Sequence, residues 1–121
     1  MSLNVLAVDD SKTMRDLVYH ALAAEGFEVR LAVDGEDGLG QLGGFVPDVI
    51  ITDINMPKLD GFGFIEGVRG RAALQGVPIL VLTTERGDEL KSRARAAGAT
   101  GWIVKPFDPE RLVAAIRRVA G

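Results

Sequence analysis

From Leu3 to Ala32 the chain reads LNVLAVDDSKTMRDLVYHALAAEGFEVRLA, and this stretch decides the fold. It opens on a nearly unbroken apolar run, Leu3 to Val8, too short for a helix and lacking the polar alternation of a half-exposed strand. The run predicts a strand covered on both faces. Met14, Leu17, Val18, Ala21 and Leu22 then follow the i, i+3, i+4, i+7, i+8 spacing of an amphipathic helix. Ser11 is placed to cap that helix and Gly26 to end it. EVRLA (28–32) brings the chain back as a second strand. A strand, a crossover helix and a strand in this order form a βαβ unit, whose strands run parallel.

The same rhythm continues through DVIIT (48–52), PILVLT (78–83) and GWIV (101–104), giving five predicted strands alternating with five helices. This is the pattern of an α/β protein, a parallel sheet with helices on its faces. The last helix is well marked: Asp108 can cap it, Pro109 suits its first position, Glu110 complements its dipole, and Leu112, Ile116 and Val119 point inward. The two middle helices are poorer. Gly38, Gly40, Gly43 and Gly44 fall in or beside the second, and Gly63, Gly67 and Gly70 in or beside the third. Each interior glycine costs about 1 kcal/mol against alanine, so both helices are expected to be short or mobile. No linker, repeat or low-complexity tract interrupts the chain, and residues 1–121 are expected to form one domain.

Composition narrows the functional classes. With 121 residues, 47% hydrophobic and 26% charged, the chain can bury one core but not two. There is no cysteine, which excludes disulfides and thiolate metal sites. The apolar runs fall far short of the ~20 residues that span a bilayer, and no basic-then-apolar leader precedes them. A cytoplasmic protein with no membrane partner is expected. The net charge of −3 argues against a nucleic-acid partner, but it conceals an asymmetry. Residues 1–60 carry 11 acidic and 4 basic side chains, whereas residues 61–121 carry 6 acidic and 10 basic. Lys91, Arg93, Arg95, Arg111, Arg117 and Arg118 fall on the last two predicted helices, either a solvated face or a surface for an acidic partner.

In an open parallel sheet, ligands bind beyond the carboxyl ends of the strands. Asp9 and Asp10 follow the first strand, Asp53 the third, Thr83 ends the fourth and Lys105 follows the fifth. Three converging carboxylates repel one another unless a cation neutralises them. An all-oxygen cluster suits a hard ion, Mg²⁺ before Zn²⁺ or Cu²⁺. Three carboxylates, one divalent ion and one ammonium sum to no net charge, ready for an anion. A carboxylate nucleophile, a bridging metal and cationic or hydroxyl donors are the equipment of phosphoryl transfer.

The blocks VDDSKTMR, DINMPKLDGFGFI, VLTTE and GATGWIVKPF, in this order and at these strand ends, resemble the receiver domain of two-component response regulators. The likeness runs the length of the chain and is strongest to the stand-alone receivers of chemotaxis. It implies the flavodoxin-like (βα)5 fold, a doubly wound five-stranded parallel sheet of order 2-1-3-4-5. Asp9, Asp10 and Asp53 would then meet where the strand order reverses.

Carried over residue by residue, the resemblance makes Asp53 the acceptor of a phosphoryl group from a phosphohistidine. Asp10 would bind Mg²⁺ directly, Asp9 through water, and Asn55 through its backbone carbonyl. Lys105 would pair with the phosphoryl group and Thr83 would swing in to hydrogen-bond it. Lys105-Pro106 resembles a cis peptide that orients the lysine. Asn55 and Glu85 would flank the phosphoryl group and tune its hydrolysis; this pair implies a short lifetime. The implied partners are a histidine kinase or histidine phosphotransfer protein as donor, and the flagellar motor switch as target. A phosphorelay intermediate or a phosphate sink is the alternative. No enzyme activity is expected beyond taking up and losing its own phosphoryl group. Two departures stand out: Trp102 occupies a switch position usually held by Tyr or Phe, and Ile54 replaces an aromatic found in some relatives. An indole is larger, and its N–H needs a partner when buried, which bears on inward rotation.

Other readings fare less well. GLGQLG (38–43) matches G-x-G-x-x-G but precedes a strand and falls where a helix is expected, so dinucleotide binding is not supported. A flavin phosphate would meet carboxylates in place of hydroxyls and amides. His20 is expected on an exposed helix face, and no G-x-S-x-G elbow is present. A Mg²⁺-dependent aspartyl-phosphate phosphohydrolase would carry an acid where Asn55 stands, and a cap region besides. A degenerate module that takes no phosphoryl group would not need the acidic triad, Thr83 and Lys105.

Overall fold

The computed structural model describes residues 2–120. Strands β1 (Asn4–Val8), β2 (Glu28–Ala32), β3 (Val49–Thr52), β4 (Ile79–Thr83) and β5 (Gly101–Val104) form one sheet of order β2-β1-β3-β4-β5, every neighbouring pair parallel. Helices α1 (Lys12–Ala23), α2 (Gly35–Gln41), α3 (Gly61–Arg69), α4 (Asp88–Ala97) and α5 (Pro109–Ala120) alternate with the strands, and a 3-10 turn covers Ala72–Leu74. This is the flavodoxin-like fold expected from the sequence. Among the described residues, no helix is long and apolar enough to cross a membrane.

The side-chain period of two divides the core into two layers. Leu6 and Val8 of β1 and Ile50 of β3 pack with Phe62, Phe64, Ile65, Val68 and Ala94, the layer under α3 and α4. Val5 and Ala7 of β1 and Val49 and Ile51 of β3 pack with Val18, Leu22, Leu112, Val113 and Ile116, the layer under α1 and α5. The central strands are buried on both faces. The edge strands are not: β2 alternates and β5 is half-buried throughout, because each lacks a neighbour on one side.

The caps lie where the sequence places them. Ser11 Oγ accepts from the Met14 N–H at 3.2 Å, Gly26 turns the chain at φ 83°, and Asp108 Oδ1 accepts from the Glu110 N–H at 3.0 Å. One member of the predicted α1 stripe is misplaced, since Leu17 is 52% exposed. The buried line runs through Val18 and Leu22 with Met14 half-buried, and Leu17 lies about 100° round the helix from Val18.

The glycine-rich helices have a packing explanation. α2 is short, seven residues, but α3 is a regular nine-residue helix that buries Phe62, Phe64, Ile65 and Val68. A Cβ on Gly38 would lie 2.7 Å from Phe64 Cε1, so its absence lets α2 approach α3. GLGQLG therefore spans the second half of α2 and the turn after it, not a phosphate loop. On the basic helices, Arg93 stacks over the Phe62 ring at 3.9 Å and Arg117 bonds Glu25 at 3.1 Å, so part of that charge is engaged within the chain. His20 is exposed, as expected.

Candidate functional site

Because β1 and β3 are neighbours in register Val8 to Thr52, the residues that follow them converge. Carboxylate oxygens of Asp9, Asp10 and Asp53 lie within 4.8 Å of one another. Asp9 and Asp53 are buried and Asp10 is exposed, which leaves the cluster open to solvent on one side. Lys105, just beyond β5, reaches across β4 to close the group. Its Nζ lies 2.8 Å from Asp9 Oδ2 and 2.7 Å from Asp53 Oδ2. The Lys105-Pro106 peptide is cis.

The two buried carboxylates are each oriented by a backbone donor. Asp9 Oδ1 accepts from the Ser11 N–H at 2.9 Å, and Asp53 Oδ1 from the Ile54 N–H at 2.6 Å. Burial pushes the Asp9 carboxyl above its ordinary value, even against the hydrogen bonds from Lys105 and Ser11. Burial also opposes the charge on Lys105, but its bonds to Asp53 and Asp9 outweigh this and hold the ammonium above the usual lysine range. Two supports were not read from the sequence. Arg15 Nη1 donates to the Asp9 carbonyl at 2.8 Å, and Gly61 opens α3 so close to β3 that a Cβ there would lie 2.7 Å from Ile54 Cα. The Gly61 signal was present as a glycine directly after a helix-capping Asp, with Asp60 Oδ1 accepting from the Gly63 N–H at 2.9 Å. No local signal marks Arg15.

Glu85 joins the remaining residues. Its N–H donates to Thr83 Oγ1 at 3.3 Å, its Oε1 accepts from Asn55 Nδ2 at 2.8 Å, and its carbonyl accepts from Trp102 Nε1 at 3.1 Å. Thr83 is fully buried at the end of β4. The Trp102 indole therefore has the partner that its burial demands. Asp9, Asp10, Asp53 and Lys105 thus form one cluster, and Asn55, Thr83, Glu85 and Trp102 are joined by hydrogen bonds into a second group.

The donor set tests the metal. Three carboxylates supply only oxygen, the choice of a hard divalent ion, and one lysine cannot neutralise all three. Asp10 is the carboxylate without a cation of its own here, and its exposed position suits an ion that keeps part of its water shell. The residues present fit such an ion.

A parallel sheet of this order with an acidic triad and a clamped lysine at its carboxyl edge defines a class, and the comparisons agree. Residues 5–117 match the response regulator receiver domain, and the chain belongs to that family. It is 38% identical over 120 residues to a probable chemotaxis protein CheY of Rhizobium etli, covering 98% of this chain and 93% of that protein. It superposes on the chemotaxis protein CheY4 of Vibrio cholerae with a TM-score of 0.94 and 46% identity, over 98% of this chain and 99% of that one. The receiver domain of the sensor kinase PA1611 from Pseudomonas aeruginosa, described with a magnesium ion in its active-site cleft, matches at a TM-score of 0.93 and 25% identity, covering 100% of this chain and 99% of that one.

Proposed function

We propose that this receiver accepts a phosphoryl group on Asp53 from a phosphohistidine, with Mg²⁺ held by Asp9, Asp10, Asp53 and the Asn55 carbonyl. The observation that carries this reading is the Lys105 ammonium 2.7 Å from Asp53 Oδ2, within a cluster whose charge calls for one divalent cation. An Asp53 oxygen forms the new P–O bond while the donor's P–N bond breaks, and its electron pair stays on the imidazole nitrogen. Bound Mg²⁺ supplies charge neutralisation to the nucleophile and the phosphoryl oxygens. Lys105 transfers its contact from carboxylate to phosphoryl oxygen, and Thr83 exchanges the Glu85 N–H for the new anion. Asn55 and Glu85, joined over the site, govern how water reaches the acyl phosphate. Beyond this self-phosphorylation and the hydrolysis of its own acyl phosphate the protein carries no enzyme activity.

The donor is a histidine kinase or a phosphotransfer protein, and the output is phosphorylation-dependent protein binding in the cytoplasm. The named chemotaxis relatives support a chemotactic role, with the flagellar motor switch as target. Incubation with acetyl phosphate and Mg²⁺ tests the acceptor. An acid-labile phosphoryl group should form on the native chain and not on Asp53→Asn; labelling of Asp53→Asn would refute the assignment.

A further inference from the structure

The three carboxylates of the cluster are held by unequal means. Asp9 and Asp53 each accept from a backbone N–H and from the Lys105 ammonium. Asp10 is exposed, and among the described residues its carboxylate makes no hydrogen bond or ion pair. Where that carboxylate points is therefore decided by the backbone that carries it.

This stretch of backbone has a side-chain restraint. Asp9 and Asp10 share a peptide unit, and its carbonyl, that of Asp9, accepts from Arg15 Nη1 at 2.8 Å. Arg15 is itself fixed at the start of α1, where its N–H donates to the Ser11 carbonyl at 2.9 Å and Ser11 Oγ caps the helix. The side chain is half-buried, so water competes with the bond less than at an open surface. The peptide is planar, and turning it about its two flanking bonds re-aims the Asp10 side chain. Asp9 would stay in place, because its N–H bonds the Ala32 carbonyl at 3.1 Å and its carboxylate bonds Lys105.

We infer that Arg15 is a positioning residue for the metal site. It locks the Asp9–Asp10 peptide and so keeps an Asp10 oxygen within 4.8 Å of its Asp9 and Asp53 counterparts. The inference rests on the proposed Mg²⁺ site. Arg15 is also a cation, and a cation near the site repels the incoming ion. Through charge alone, loss of Arg15 would tighten Mg²⁺ binding. Through a merely structural role, its loss would leave binding unchanged. Through positioning, its loss weakens binding in spite of the charge removed. Residues that orient metal ligands from outside contribute about 10–100-fold to affinity, and Arg15 reaches one ligand through one peptide unit, which puts its share at about 10-fold.

Calorimetric titration with Mg²⁺ alone tests this on the native chain, Arg15→Met, Arg15→Lys and Lys12→Met. Lys12→Met controls for charge, since Lys12 lies on the same helix, is 80% exposed and bonds Asp16. Arg15→Met should bind Mg²⁺ about 10-fold more weakly than the native chain, and Lys12→Met should stay within about two-fold of it. Arg15→Lys should fall between, because an ammonium can make the single bond to the carbonyl but from a shorter stem. Urea denaturation in EDTA shows whether each variant is folded. Unchanged or tighter binding by folded Arg15→Met would overturn the inference. If Arg15→Met does not fold, Arg15→Lys decides: its charge is intact, so weaker binding supports positioning and native affinity refutes it. Absence of Mg²⁺ binding by the native chain would instead overturn the metal reading, and the role of Arg15 with it.

Discussion

The Trp102 indole N–H donates to the backbone carbonyl of Glu85 at 3.1 Å, joining β5 to the loop that follows Thr83. The neighbouring Glu85 N–H is the one bonded to the Thr83 hydroxyl, so any force that draws Thr83 towards Asp53 is felt at the indole. Trp102 is the single tryptophan of the chain and its emission is unambiguous. Mg²⁺ followed by beryllofluoride should give two separable emission changes. A flat response to the second addition would show that the indole is uncoupled from the site. Trp102→Phe should lower stability by about 1 kcal/mol through loss of this bond, read by urea denaturation.

Lys105→Met leaves Asp9 and Asp53 facing each other without their cation. In metal-free buffer at neutral pH the loss should be about 3 kcal/mol, the low end for a broken buried pair, because the cluster is open at Asp10. Lys105 is held above its unfolded value, so its contribution is complete below about pH 10.5 and is lost as pH rises through the folded value. The stability gap between native and variant should therefore stay constant from pH 6 to 9, by order-of-magnitude reasoning, and narrow above that. A gap that widens on the alkaline side would contradict the pairing.

Asp9→Asn should act in the opposite direction on stability. Burial raises the Asp9 carboxyl, so its ionised form is disfavoured by folding, and the amide removes that cost. The metal-free variant should melt a few degrees higher at pH 7. The gain is present above the folded value of Asp9 and is lost as pH falls towards 3.8, where the native side chain is protonated as well. Calorimetric titration should show weakened Mg²⁺ binding in the same variant. Destabilisation at pH 7 with EDTA present would show that the ion pair with Lys105 outweighs the desolvation of Asp9.

Two glycine-to-alanine changes should diverge. Gly61→Ala forces a methyl group against the backbone that carries Asp53, costing about 1–3 kcal/mol and slowing phosphorylation by acetyl phosphate. Gly40→Ala adds its methyl within α2 with nothing inside 4 Å, and should stabilise by about 0.5–1 kcal/mol. Equal effects of the two, measured by urea denaturation, would refute the packing argument.

The fold was legible because its signals are local and repeated: apolar strands, capped helices, polar residues at four strand ends. The site was legible in a different way: polar residues at the strand ends marked one edge of the sheet, and the strand order that carries Asp9, Asp10 and Asp53 together was implied by the resemblance of the strand-end blocks to receiver domains. What the sequence left open depended on the reach of long side chains. Neither the three bonds of Glu85 nor the four that Arg69 makes to the Leu74, Gln75 and Gly98 carbonyls can be seen without coordinates, because each depends on which loops and helix ends the fold brings within reach of that residue. Leu17 was misassigned because the stripe is wider than the surface it meets. The glycines of α2 and α3, read as weakness, are where helices and strands come close.

Lys105 meets Asp53 at a separation of 52 positions in the chain and Asp9 at a separation of 96. Such contacts are the slowest to form, since the intervening loops must close before any of them is rewarded. A chain still emerging from the ribosome can have β1 and β3 paired and yet lack the ammonium that steadies their carboxylates. The clamp of Lys105 on Asp9 and Asp53 is thus a late product of folding.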